Sequence, residues 1–296
     1  MASKVETVDA DRGDDVVLPF QVDGLNVRGR LAKLGPALDT ILRQHAYPRP
    51  VSRLLGEALA LAAAVGSSLK FDSIFSVQAK GDGPIRLMVV DVTAAGHLRG
   101  YAQLSNRPIA ADERRLAHLI GKGQLAFTVD QGPDTERYQG IVELGEASLS
   151  EAVDHYFKQS EQLETRIVLA ADLSTAWRSS ALMIQRLPGE AGDPDAWNRT
   201  QHLVESLTED ELLDPELSPA SVLYRLFHSE GVRVFPSRPL EAKCRCSRER
   251  ADAALRLVPD DELSDFMVDG RFIVTCQFCN ASNIFSEKEV RSLRAG

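Results

Sequence analysis

Two stretches in the first quarter of the chain repeat apolar residues at the spacing of one helix face. Over 36–45 these are Ala37, Leu38, Ile41 and Leu42; over 50–69 they include Leu54, Leu55, Leu59 and Leu61, with Pro50 suited to a first turn. The period then shortens to that of strands. Runs at 74–79 and 85–92 flank the turn Gly81-Asp82-Gly83-Pro84, and a third at 97–104 completes a meander. A short helix is expected at 113–120, stopping at Gly121-Lys122-Gly123, and strands at 124–130 and 137–143 flank a turn containing Gly132-Pro133. Ser148 and Glu151 form a capping-box pair that opens a helix to about residue 160. Strands near 165–170 and 181–187 close this part, while residues 1–15 are polar and expected to fray. Sheets and helices in this order predict an α+β core over 1–190.

The pattern changes after Leu187-Pro188-Gly189. From 191 to 240 there are nine acidic residues and four arginines, yet helix signals persist. Thr208 and Glu211 form a second capping box. Ser218-Pro219 starts a helix bearing Val222, Leu223, Leu226 and Phe227, with Gly231 placed to end it. Helices this short are marginal alone and need a surface to lie on. The segment therefore reads as a metastable helical linker, and Pro236 and Pro239 mark its far boundary.

All four cysteines fall in the remaining piece, 241–296: Cys244 and Cys246 as C-x-C, then 29 residues, then Cys276 and Cys279 as C-x-x-C. Two close pairs separated by a returning loop match a tetrahedral four-thiolate zinc site, each pair forming one edge. Four thiolates also suit iron, and spacing alone leaves a permanent structural ribbon and a redox site both open. Lys243, Arg245, Arg248 and Arg250 surround the first pair, and nearby positive charge favours the thiolate. Between the pairs, Asp260 is placed to cap a helix bearing Leu263, Phe266 and Met267, and Gly270 turns into an apolar strand at 271–275. So small a piece buries little core, so one bound Zn2+ per chain would supply much of its stability, on the order of 10–16 kcal/mol. Oxidising the ligands would then unfold it. The linker would lose support and expose Leu203, Val204, Leu207, Leu212, Leu213, Leu223, Leu226 and Phe227.

Composition narrows the classes further. An apolar fraction of 44% supports a sizeable core, and a net charge of −9 argues against broad nucleic-acid binding. The N-terminus shows no secretory h-region and the longest apolar run, 58–65, is too short to span a bilayer, so a cytoplasmic location without membrane attachment is expected. In that compartment clustered cysteines serve as ligands or sensors more often than as structural disulfides. Gly81-x-Gly83 and Gly121-x-Gly123 fit hairpin turns better than phosphate loops, and His228, 16 residues before Cys244, fits a helix face better than a ligand position.

At these residues the chain resembles the redox-regulated 33 kDa chaperonin family of bacterial heat-shock holdases. The resemblance is carried by HAYP at 45–48, LLGEALALAAAVGSSLKF at 54–71, the GDGP turn, LRGYA from Leu98, YFKQSEQLETRI at 156–167, LFHSEGVRVF at 226–235, CRCSRER at 244–250 and CQFCN at 276–280. It implies an ATP-independent holdase, not an enzyme. Reduced protein would hold zinc through Cys244, Cys246, Cys276 and Cys279 and be inactive. Oxidation would give Cys244–Cys246 and Cys276–Cys279 disulfides, release zinc and unfold the linker. The protein would then form a homodimer, hold unfolded client proteins, and pass them to ATP-dependent foldases. Gln277, Asn283 and Ser73 depart from residues common in that family (glutamate, an aromatic and glycine). Two other classes remain to be separated from the holdase: a thiol-disulfide oxidoreductase using C-x-x-C, and a constitutive zinc-ribbon adaptor.

Overall fold

The structure, a computed structural model, describes residues 13–67, 73–132, 135–145, 148–188, 193, 195–259 and 263–295. Expectations for residues 1–12, the end of the 50–69 helix, Pro133, Gly189 and the Asp260 cap lie outside them. The chain separates into two units, Met1–Ala242 and Lys243–Gly296.

The first unit opens with two strands that the apolar pattern does not announce, β1 (Val16–Val22) and β2 (Val27–Leu34). α1 (Pro36–Leu42) and α2 (Arg49–Gly66) follow, with Pro36 and Pro50 in their first turns. Next come β3 (Ile74–Gly81), β4 (Ile85–Thr93) and β5 (His97–Leu104). The helix expected at 113–120 is the single turn α3 (Leu116–Leu119). β6 (Gly123–Asp130) and β7 (Tyr138–Leu144) precede α4 (Leu149–Ser160), whose capping box between Ser148 and Glu151 forms as read. β8 (Thr165–Leu173) and β9 (Trp177–Arg186) run longer than their apolar runs. The 191–240 segment supplies α5 (Ala196–Glu205), α6 (Glu209–Leu213) and α7 (Pro219–Phe227), then β10 (Val232–Val234) and β11 (Arg238–Pro239); β12 (Glu241–Ala242) ends the unit.

These strands form two sheets. One has the order β10-β1-β2-β9-β8, with β11 also on β1; the other runs β12-β5-β4-β3-β6-β7. α2 contacts strands of both. Its sequence explains the position. An alanine-rich helix buried from Ala58 through Ala64 has no polar face to give to water, so it belongs between layers. Gly66 lets it close on β4, because a Cβ there would lie 2.4 Å from Val92 Cγ1.

The first sheet carries buried apolar residues on both faces. Val17, Ala32, Leu34, Ala181 and Met183 belong to the main core with α2. Leu18, Phe20, Leu31, Leu182 and Ile184 build a second core with Val204, Leu212, Val222, Leu223, Leu226 and Phe227 of α5, α6 and α7. Both expected caps of this segment form: Thr208 with Glu211, and Ser218 accepting from the Ser221 N–H. α7 ends at Phe227, before Gly231, whose positive φ of 77° serves the turn into β10. Lys33 is a buried lysine whose Nζ donates to the Asp214 and Leu217 carbonyls at 2.7 and 2.8 Å. Burial pulls its pKa down to about 8, although the Asp214 charge works the other way.

The second unit begins with α8 (Arg248–Leu257), capped by Ser247. The helix read for Leu263, Phe266 and Met267 is a short 3-10 turn over Leu263–Phe266, and Met267 starts β13 (Met267–Val268). β14 (Arg271–Thr275) and β15 (Ser282–Ser286) complete a three-stranded sheet, followed by α9 (Glu287–Ala295). Its buried core among the described residues is Ala251, Leu255, Phe272, Phe285 and Val290. Among the described residues no helix is long and apolar enough to cross a membrane.

Candidate metal centre

Each cysteine pair is delivered by a different local device. Cys276 leaves the end of β14, and the chain reverses at once: Cys276 N–H donates to the Ala281 carbonyl and Asn280 N–H donates back to the Cys276 carbonyl, both at 2.9 Å. Asn280, with φ of 57°, takes the left-handed position this reversal needs, which its short amide tolerates. Cys279 lies inside the turn, so its sulfur faces the same point as that of Cys276. Cys244 and Cys246 sit on the extended stretch leading into α8, which Ser247 terminates by capping the helix. In an extended chain, residues two apart share a side.

The four sulfurs converge. Cys244 Sγ is 3.7 Å from Cys276 Sγ, Cys246 Sγ is 3.3 Å from Cys279 Sγ, and all four lie within 4.8 Å of one another. With Zn–S bonds of about 2.3 Å, a tetrahedral site has S···S edges of roughly 3.8 Å. The cluster has the size and donor chemistry of a four-thiolate metal centre. All four residues are half-buried, so the site is reachable from solvent.

Electrostatics within the cluster are unequal. Burial alone would raise the Cys244 pKa, but the Cys246 N–H and the thiols of Cys246, Cys279 and Cys276 outweigh it and bring it down to about 7. Cys246 moves up, through burial and through its neighbours Cys279 and Cys244. Cys279 also rises, chiefly by burial. The Cys244 thiolate thus forms readily, while Cys246 and Cys279 resist until a cation compensates them, which suits a metal site. Of the basic residues noted in the sequence, Arg248 plays another part. Arg248 is committed to Glu289, at 2.9 Å, and lies over the Phe285 ring at 4.3 Å, fixing α8 against α9.

The other candidates fall out on geometry. His228 is exposed, its Nδ1 near the Arg225 carbonyl. Gly83 N–H donates to the Ile120 carbonyl at 2.7 Å and Lys122 N–H to Asp82 Oδ1 at 2.8 Å, so the two glycine turns use their donors on each other rather than on a phosphate. Gln277 is exposed on the C-x-x-C turn, and Asn283 pairs with Val274 in the small sheet. Ser73 is buried beside β3.

Comparison with known proteins fits this architecture. The sequence pattern of the family described as "Hsp33 protein" matches residues 15–286. A 33 kDa chaperonin of Caulobacter vibrioides (strain NA1000 / CB15N) is 43% identical over 281 residues, covering 90% of this chain and 93% of that protein. One of Ectopseudomonas mendocina (strain ymp) is 39% identical over 284 residues, 94% of each. The crystal structure of the 33 kDa chaperonin of Thermotoga maritima, a heat shock protein 33 homolog, superposes with a TM-score of 0.83 at 24% identity, covering 95% of this chain and 98% of that one, and shares the fold.

Proposed function

Because the chain belongs to the Hsp33 family, a family of chaperones, we propose that it is an ATP-independent holdase switched on by oxidation of its four cysteines. The convergence of Cys244, Cys246, Cys276 and Cys279 within 4.8 Å carries this reading. In the reduced state these residues would hold one zinc ion, which when bound contributes folding free energy to a unit whose described residues bury a core of only five. Peroxide would transfer one oxygen to the Cys244 thiolate, giving a sulfenic acid and releasing hydroxide. The Cys246 thiolate would then attack that sulfenic sulfur, expelling hydroxide and forming the Cys244–Cys246 disulfide; Cys276 and Cys279 would react likewise with a second equivalent of oxidant. A disulfide holds its sulfurs about 2.05 Å apart. That spacing, with the loss of negative charge, removes the ligand set.

The consequence would travel along the chain. β12 ends at Ala242, two residues before Cys244, and β10 and β11 precede it on the edge of the first sheet. Once the second unit unfolds, this stretch loses its anchored end and α5, α6 and α7 leave the sheet. Their buried residues, together with Leu18, Phe20, Leu31 and Ile184 beneath them, become an apolar surface for unfolding proteins. In this reading the 191–240 segment is the gate between a 1–190 core and a 241–296 sensor. The open form pairs as a homodimer and later yields its clients to ATP-dependent foldases in the cytoplasm.

The test is suppression of light scattering by a denaturing client, with zinc release followed by a chelating dye. Zinc-loaded reduced protein should be idle, and peroxide at mild heat should release zinc and activate it. Equal activity before and after peroxide would defeat the proposed switch. Catalytic turnover of insulin disulfides, lost in Cys276→Ser, would point to an oxidoreductase instead, and client binding that requires zinc would point to an adaptor.

A further inference from the structure

On the face of the first sheet away from α5, α6 and α7, beyond the packed part of that face, the strands present a polar row. The register sets Gln21 of β1 opposite Arg28 of β2, Arg28 opposite Gln185 of β9, and Gln185 opposite Thr165 of β8. One step along, Arg30 stands between Pro19 and Met183. Arg28 and Arg30 are two apart on one strand, so their side chains leave the same face with Cα atoms about 6.8 Å apart. Together with Gln21, Gln185, Pro19 and Phe235 they line a pocket of about 160 Å³.

This pocket is cationic in a protein whose net charge is −9. Arg30 is half-buried, and among the described residues neither Arg30 nor Arg28 has a carboxylate or hydrogen-bond partner. Burial, then the charges of Arg28 and Arg238, pull the Arg30 guanidinium below its ordinary value, and no acid opposes them. A guanidinium stays protonated regardless, so its charge is desolvated without compensation. Sequestered charges are ordinarily paired.

We propose that this pocket binds a small tetrahedral oxyanion of phosphate type, held by the guanidinium forks of Arg28 and Arg30. Two forks require more acceptor oxygens than one carboxylate offers, and a phosphoryl group supplies them. At about 160 Å³ the pocket falls below the roughly 300–1,000 Å³ of sites that enclose larger organic ligands, which fits the anion alone. Gln21 adds an amide donor at one side, and Phe235, 41% exposed, stands at the rim. The inference does not depend on the cysteine switch.

The experiment measures thermal unfolding of full-length, zinc-loaded, reduced protein in chloride, in inorganic phosphate and in phosphoserine, all at matched ionic strength. The midpoint should rise in phosphate; a rise in phosphoserine as well assigns the site to phosphate esters, and its absence there to the free ion. Removing either guanidinium should weaken the apparent affinity by about 10- to 100-fold. Arg30→Met should also unfold no lower than wild type in chloride, because it removes an uncompensated charge. Three outcomes overturn the proposal: no rise in either phosphate arm, the same rise in Arg28→Gln and Arg30→Met as in wild type, or a lower chloride midpoint for Arg30→Met.

Discussion

Phe227 offers the sharpest perturbation of the proposed gate. It is fully buried at the end of α7, and its ring stacks on Phe20 of β1 with centroids 5.9 Å apart and planes 27° apart. Both belong to the core under the linker helices, not to the larger core around α2. Phe227→Ala removes a ring from a site that rigid strands on one side prevent from collapsing, at a cost of about 3–5 kcal/mol. At 1.4 kcal/mol per tenfold, the docked-to-open ratio of α5, α6 and α7 falls roughly 140- to 3,700-fold. The cysteines are untouched. The variant should therefore keep its zinc yet suppress client aggregation without peroxide. Trp197, on α5 and packed against this core, provides the optical reporter: its emission should shift to the red in the variant. An emission shift with full zinc content and no gain in client holding would refute the reasoning, since the helices would be open and the surface still inert.

Thr208→Ala removes the cap of α6 and should cost about 1 kcal/mol, seen as a lower peroxide dose for half-maximal activation. Lys33 titrates near 8 in the folded protein against 10.5 in the unfolded chain, so between those values the unfolded state binds more protons. Wild-type stability should accordingly rise relative to Lys33→Met as pH climbs through that window, measured by urea unfolding. Asp154 has the opposite sign: chiefly through burial, and despite Arg166, its pKa rises from 3.8 to about 7, so the folded state holds a proton that the unfolded state has lost. Its contribution should decline as pH rises from 4 to 7, and Asp154→Asn should flatten that slope.

What the sequence revealed depended on how local each signal was. The capping boxes at Ser148 and Thr208, the Ser218-Pro219 start and the hairpin at Gly81–Pro84 are fixed by neighbours, and all could be read directly. The four cysteines were equally plain, because their spacing reflects the turn geometry that brings them together. β1 and β2 were not legible. One face is covered throughout and the other only around Val17, Ala32 and Leu34, so no even alternation runs the length of either strand, and Pro19, Gly29 and Lys33 read as breakers or surface residues. Gly29 and Lys33 are explained only by what the fold sets against them. Gly29 admits the Phe20 ring, which would lie 2.3 Å from a Cβ, and Lys33 ties down carbonyls more than 180 residues away. α8 has no legible signal in the sequence because its small core contribution, Ala251 and Leu255, is hidden among arginines and acids. The role of Arg248 in holding Phe285 and Glu289 could not be separated by sequence from a role beside the thiols.

The central claim is that cysteine oxidation opens helices elsewhere in the chain. Hydrogen exchange over residues 196–228 tests it most directly, comparing zinc-loaded reduced protein with the same protein after peroxide at mild heat. Protection should disappear there while the strands at 85–104 keep theirs. Unchanged protection across 196–228 after all four thiols are oxidised would contradict it.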